Sequence, residues 1–259
     1  MSTRLTTALS AARVAPPKEG RCLVLVATYK ERQNIESLIG KISQTAAPCD
    51  ILVIDDSSPD GTSEAVRQIM RENSRVRLVQ RPQKLGLGSA YLLGFREALS
   101  NGYSAVCTID ADHSHDPAQL ADMLALLDRF DVVIGSRYCA GGRILNWGVL
   151  RRINSKVANS LARLFVSRTV HDFTSGYRIY RTALLRRMHL SALASTGYCM
   201  LVELIYEATA AGGRITEFPI VFKDREAGVS KINSGEITDW LKTLCVLWLR
   251  SRRARRRLF

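Results

Sequence analysis

The 259-residue sequence has no run of about 18 consecutive apolar residues, so no segment reads as a membrane-spanning helix. Its start also lacks the continuous apolar core of a secretory signal peptide. Met1 to Gly20 is rich in Ser, Thr and Ala, carries basic residues and holds no acid before Glu19. We expect residues 1–20 to be a disordered lead-in. The six cysteines, Cys22, Cys49, Cys107, Cys139, Cys199 and Cys245, include no Cys-x-x-Cys. That spacing argues against a zinc ribbon or a disulfide framework and for buried free thiols in a reducing compartment. There is no internal repeat and no Gly-Lys-Ser/Thr phosphate loop. Gly86-Leu-Gly88 lacks the later glycine of a dinucleotide fingerprint and reads as a turn opening a helix. Acid is scarce relative to base: 24 Asp and Glu against 37 Lys and Arg, a net charge of +13. Arg250, Arg252, Arg253, Arg255, Arg256 and Arg257 supply nearly half of that excess. An anionic partner is expected. Nucleic acid is disfavoured, because the arginine tail has no interleaved aromatics and the chain has no reader motif.

What is present is an alternation of two periods. Apolar runs at Cys22–Thr28, Ile51–Asp55, Val76–Gln80, Ala105–Ile109 and Val132–Ser136 read as strands. Between them, Glu31–Ala46, Ser63–Arg71, Leu87–Ser100 and Pro117–Leu127 have helical spacing. This order predicts an α/β, Rossmann-like, mainly parallel sheet with helices on both faces. The pattern loosens past Ser136. It continues with a basic helix over Leu150–Val166, strands at Gly176–Tyr180 and Thr216–Phe222, and a helix over Met200–Ala211. Lys223–Ser234 reads as a polar loop, and Ile237–Leu249 as a last amphipathic helix with Trp240, Leu241, Leu244, Leu247 and Trp248. We therefore expect one domain over 21–234, followed by a helix and basic tail over 235–259.

Two of the apolar strands end in clustered carboxylates: Asp55-Asp56 in one, Asp110-Ala-Asp112 in the other. Open α/β sheets bind ligands beyond the carboxyl ends of their strands. Residues i and i+2 of an extended segment face the same side, so Asp110 and Asp112 would repel without a cation between them. A hard divalent ion with phosphate oxygens on its far side removes that cost. His113 and His115 do not form a His-Glu-x-x-His pattern, and oxygen ligands favour Mg2+ or Mn2+ over zinc. Within the first pair, Asp60 to Thr62 is explained as an Asx turn with Thr62 capping the next helix. Two further acids at the strand end are not, and one of them suits a base or a ribose.

Basic residues sit at the other element ends. Arg137 follows the fifth strand, and Arg151-Arg152 open the basic helix near Ser155. Arg225 and Lys231 lie in the Gly- and Ser-bearing loop from Asp224 to Lys231. Each cluster is equally readable as a phosphate grip or as a solvated surface.

In this order the segments carry a resemblance. They are Ala27-Thr-Tyr-Lys-Glu-Arg-Gln-Asn34, Val53-Ile-Asp-Asp-Ser-Ser-Pro-Asp-Gly-Thr62, Ile109-Asp-Ala-Asp112 and Ile134-Gly-Ser-Arg-Tyr138. Later come Asp172-Phe-Thr-Ser-Gly-Tyr-Arg-Ile-Tyr180, Gly197-Tyr-Cys199 and Asp224-Arg-Glu-Ala-Gly-Val-Ser-Lys231. From about Leu23 to Leu249 the chain resembles the family-2 inverting glycosyltransferases of GT-A fold, and within them the polyprenol-phosphate (dolichol-phosphate) mannose synthases. Ala27 stands where many members carry proline, and Ser114 where some carry a glutamine that helps ligate the metal. The resemblance implies transfer of mannose from GDP-mannose to a polyprenyl or dolichyl monophosphate, with Mg2+ or Mn2+ as cofactor. It implies Thr28, Tyr29, Glu31 and Asp56 around guanosine with Asp55 close behind, Asp110 toward the nucleotide-sugar and Asp112 on the metal. Arg137 and Arg151 would hold the acceptor phosphate near Ser155, and Arg225 and Lys231 the donor diphosphate. The rival readings are a polyprenyl-phosphate glucosyltransferase using UDP-glucose and a non-catalytic basic membrane- or nucleic-acid-binding protein; the latter leaves the acidic strand ends unexplained. A lipid acceptor implies a cytoplasmic protein, peripheral on the cytosolic face of a membrane, with or without a small membrane-anchoring subunit. We expect the last helix and its arginines to make the contact; the Leu145–Val149 segment around Trp147 is the second candidate.

Overall fold

The computed structural model describes residues 20–193, 195, 197, 199–224 and 240–250. Strands β1 (Cys22–Thr28), β2 (Cys49–Asp55), β3 (Val76–Gln80), β4 (Ala105–Asp110) and β5 (Val132–Ser136) form the parallel framework. A short sixth strand, β6 (Arg143–Leu145), stands apart from it. The large sheet adds β7 (Arg178–Arg181) and β8 (Ile215–Pro219), in the order β3-β2-β1-β4-β7-β5-β8. Strand β7 runs antiparallel to both its neighbours, so β4 and β5 still point the same way.

The alternation of buried side chains explains two cores on one sheet. Leu23, Leu25, Leu52, Ile54, Val106 and Ile134 face α3 (Leu87–Ser100) and α7 (Cys199–Ala210). Cys22, Val24, Val26, Ile51, Val53, Cys107 and Ile109 face α1 (Arg32–Ser43), α2 (Thr62–Glu72) and α4 (Leu120–Ala125). The expected mainly parallel sheet with helices on both faces is what forms. All six cysteines are free thiols, and burial pushes those of Cys22 and Cys107 well up.

Several boundaries differ from the sequence reading. The candidate strand Thr216–Phe222 divides after Pro219, which has no N–H to continue a ladder. Ile220 N donates to Ser136 O at 3.0 Å, and β9 (Val221–Lys223) then pairs with β6 in a separate two-stranded sheet. Pro117–Leu127 is a short α4 flanked by 3-10 turns. Thr62 is the first residue of α2 rather than its cap. Its Oγ1 accepts from Glu31 N at 3.1 Å, while Asp60 makes the expected Asx turn to Thr62 N at 3.2 Å. Gly86, at φ +87°, opens α3 as expected.

The last helix requires a correction. Residues 240–250 are helical, but Leu244 and Leu247 are buried in the core beside α7, and Trp248 packs edge-on against Phe165 with centroids 6.5 Å apart. Leu244 and Leu247 are therefore unavailable to a bilayer. The rest of the arginine tail, from Arg252 on, lies outside the described residues, as do residues 1–19, Arg225 and Lys231. The last helix leaves Leu241, Val246 and Leu249 exposed, and a second exposed apolar stripe lies on α5 (Val149–Phe165), which buries only Asn159 and Ala162. Val149, Leu150, Ile153, Val157 and Leu164 are more than half exposed there. Among the described residues no helix is long and apolar enough to cross a membrane.

Candidate active site

The parallel register aligns the strand ends. Thr28 sits opposite Asp55 across β1 and β2, and Ala27 opposite Asp110 across β1 and β4. The chain leaves β1 toward β2 on one side and returns to β4 on the other, so this edge is a topological switch point. After each of these strands the chain turns through a left-handed residue: Lys30 (φ 61°), Ser57 (φ 56°) and His113 (φ 58°). Backbone strain of this kind concentrates where loops are shaped for ligands.

The first acidic pair is divided between two tasks. Asp55 is fully buried and accepts from Thr28 Oγ1 (2.8 Å), Ser58 N (2.9 Å), Ser58 Oγ (2.5 Å) and Ser63 Oγ (2.8 Å). It organises the turn, and the Thr28 hydroxyl proton is committed to it. Asp56 accepts from Leu85 N (3.1 Å) and Gly86 N (3.0 Å) and is ion-paired with Arg81, a residue the sequence reading passed over. Arg81 also donates to Ser89 Oγ at 2.6 Å. Tyr29 is half-buried beneath Lys84, whose Nζ is 4.5 Å from the ring centroid. Glu31 caps α1 by position, and its Oε2 takes Asn34 Nδ2 at 2.9 Å.

The second pair is more open. Asp110 ends β4 with 30% of its side chain exposed, and its Oδ2 is 3.2 Å from His115 Nε2. Asp112 Oδ1 accepts from Ser114 N at 3.1 Å. Gly176 packs against Asp110 from the far side; a Cβ there would lie 2.6 Å from Oδ1.

The basic side meets the acidic side through aromatic rings. Phe222 stacks edge-on to His115 (5.2 Å) and to Trp147 (5.4 Å). The Arg151 guanidinium lies 4.1 Å over Trp147, and that of Arg137 lies 5.1 Å over Phe222. Arg151 is part-exposed and donates through one nitrogen to both oxygens of Asp224, at 2.8 and 3.0 Å. Ser155, one turn along α5, accepts from Tyr138 Oη at 2.8 Å.

Arg137 has a buried partner that the sequence does not mark. It is buried and donates in bidentate fashion to Asp172, Nε and Nη2 each at 2.7 Å, and on to Thr174 Oγ1 at 2.5 Å. Burial alone would raise the Asp172 carboxyl, but the Arg137 charge and hydrogen bonds outweigh it and hold it at about 2. Arg137 thus anchors the loop that begins at Asp172 through Nε and Nη2. Asp172 belongs to a motif visible in the sequence, but nothing local marks its partner 35 residues away.

Residues 23–188 match the model of the family described as glycosyl transferase family 2. The polyprenol monophosphomannose synthase of Mycolicibacterium smegmatis is 39% identical over 239 residues, covering 92% of this chain and 90% of that protein. The undecaprenyl-phosphate mannosyltransferase of Micrococcus luteus is 38% identical over 215 residues, covering 83% and 88%. Among solved structures, a Pyrobaculum calidifontis mannosyltransferase in complex with GDP-mannose and Mn2+ has a TM-score of 0.58 at 20% identity, covering 92% of this chain and 66% of that one. Mannosyl-3-phosphoglycerate synthase from Rubrobacter xylanophilus reaches 0.64 at 16% identity, covering 92% and 75%. The low identities make these structures a likeness of fold, the GT-A type. Family model and relatives together show that the chain belongs to glycosyl transferase family 2.

Proposed function

We propose that this chain transfers mannose from GDP-mannose to a polyprenyl monophosphate with inversion, giving a β-mannosyl phosphoryl lipid and GDP. One observation carries the reading: the acidic strand end at Asp110 is joined through His115, Phe222 and Trp147 to a part-exposed arginine, Arg151. That juxtaposes a place for a donor diphosphate with a place for an acceptor phosphate. The names of both relatives support mannose and a polyprenyl acceptor, and disfavour UDP-glucose.

A phosphate monoester is already ionised at neutral pH, so its oxygen needs no general base. It needs alignment with the anomeric carbon and stabilisation of the leaving diphosphate. In this reading Arg151 exchanges Asp224 for the acceptor phosphate, on a guanidinium already oriented by Trp147. Ser155 adds its own hydroxyl proton. Arg137 contributes a fixed buried charge behind them. Tyr29 and the Asp56–Arg81 pair form the wall for guanosine, Glu31 lies at its rim, and Asp55 with Thr28 holds that wall in shape. Arg225 and Lys231 follow Asp224 in sequence and are assigned to the donor diphosphate.

Asp110 and Asp112 offer hard oxygens, which fit Mg2+ or Mn2+. Among the described residues no three His, Cys, Asp or Glu side chains converge as a complete metal site, so donor oxygens and water would fill the shell. When bound, such an ion neutralises charge developing on GDP. The acceptor chain is insoluble in water, which places the enzyme on a bilayer surface. The α5 stripe, flanked by Arg152 and Lys156, is the contact we assign, on the cytosolic face.

The test follows radiolabel from GDP-mannose and from UDP-glucose into organic-extractable lipid. Label should pass from GDP-mannose only, and excess chelator or Asp112→Ala should abolish it while the melting temperature stays unchanged. Transfer from UDP-glucose alone would overturn the assignment of the sugar. Full turnover by Asp112→Ala would overturn that of the metal.

A further inference from the structure

The reading above gives His115 no chemical role, yet it is one of the most enclosed polar side chains beside the site. Its side chain is 0% exposed, wedged between Tyr177 (5.4 Å) and Phe222 (5.2 Å). The left-handed turn at His113 brings the chain back so that His115 Nε2 reaches Asp110 Oδ2 at 3.2 Å. We propose that His115 is a positioning residue: its Nε2–H donates to Asp110 and aims that carboxylate at the metal and diphosphate of the donor.

The tautomer follows from its surroundings. His115 Nδ1 is buried and has no hydrogen-bond partner among the described residues. A neutral imidazole carries one proton. On Nδ1 it would be an unsatisfied buried donor, and the Nε2 lone pair would then face the Asp110 carboxylate. On Nε2 it makes a hydrogen bond to an anion, the stronger kind. Full burial and packing against Tyr177 and Phe222 restrict the ring from swinging aside. Gly176 completes the arrangement from the other direction, since any side chain there would strike Asp110 Oδ1. The carboxylate is thereby held between a donor and a backbone, and its rotation is limited. Groups that hydrogen-bond a metal-ligating carboxylate tune affinity for the ion, and their loss typically costs about 10- to 100-fold.

This inference rests on the donor-facing role of Asp110, and the experiment separates the two. Mn2+ binding in the presence of GDP is followed by the paramagnetic resonance signal of the free ion, for the full chain and three variants. His115→Phe keeps the ring packing and loses the donor. His115→Gln keeps a nitrogen near the position of Nε2. Asp110→Asn tests the underlying reading. His115→Phe should weaken Mn2+ binding by about tenfold or more. His115→Gln should recover most of it, and saturating Mn2+ should restore kcat to the Phe variant. Parent-like binding by His115→Phe, with Asp110→Asn impaired, would overturn the inference and leave the reading of Asp110 intact. Equal losses in the Phe and Gln variants would also overturn it, because packing rather than the hydrogen bond would then matter. Parent-like binding by Asp110→Asn would remove the reading, and the inference with it.

Discussion

Replacing Asp172 by asparagine nearly keeps its shape, removes its charge and turns one of its two acceptor oxygens into a donor. The consequence follows from what the carboxylate touches. Asp172 is fully buried and accepts from Arg137 N (3.0 Å), Arg137 Nε and Nη2 (2.7 Å each), Thr174 N (3.1 Å) and Ser175 N (3.0 Å). Lowering its carboxyl from 3.8 to about 2 corresponds to about 2 kcal/mol of stability at neutral pH. The folded value is depressed, so this contribution is present above 3.8 and is lost as pH falls through about 2. The variant loses it and also strands the Arg137 guanidinium in the interior. Breaking a buried pair from one side costs about 3–5 kcal/mol. Urea titration at neutral pH should show a loss of that size, with a melting temperature lower by roughly 10 °C. The gap should hold constant between about pH 8 and about pH 5 and narrow below the ordinary carboxyl range. Arg137→Met added to Asp172→Asn removes the stranded charge and should restore at least half of the lost stability. A gap under about 0.5 kcal/mol, or a double variant weaker than the single, would refute the pairing as the organiser of this loop.

Two further outcomes are expected. Arg151→Ala should raise the Michaelis constant for the lipid acceptor by roughly tenfold or more, the worth of a charged hydrogen bond, while that for GDP-mannose changes little; steady-state kinetics in both substrates check it, and an equal loss for the donor would put Arg151 on the wrong substrate. Ile153→Glu with Val157→Glu, both on the exposed α5 face, should weaken sedimentation with anionic vesicles and spare the melting temperature and turnover of a short soluble acceptor. Unchanged vesicle binding at low salt would move the membrane contact elsewhere.

The framework was legible in the sequence because it is written in local periods. Runs such as Leu23–Val26 and Ile51–Ile54 are apolar on both sheet faces, as a strand covered on both sides must be, and α1 repeats its buried residues at Ile35, Leu38, Ile39 and Ile42. Carboxylates at Asp55, Asp56, Asp110 and Asp112 mark strand ends by position alone, so the site's place at the sheet edge was also readable. Asp55 and Asp56 show where that reading stops. They are neighbours with the same side chain, yet one is consumed by Thr28, Ser58 and Ser63 and the other by Arg81 and the Leu85–Gly86 backbone.

What each charged or apolar face meets was decided only in the tertiary structure. The last helix and α5 are both amphipathic in sequence. Packing against the core buries Leu244 and Leu247 and leaves Leu241, Val246 and Leu249 exposed, while α5 keeps Val149, Leu150, Ile153 and Val157 in solvent. Arg137 and Arg151 are both arginines at element ends. One is enclosed by Asp172, the other stacked on Trp147 and part-exposed beside Asp224. His115 reads from spacing as a metal ligand or nothing, and becomes a partner of Asp110 only once His113 turns the loop back. Period and composition specify that a face or a charge exists. Its partner lies tens of residues away, and burial, which sets the strength of every such contact, is a property of the assembled fold.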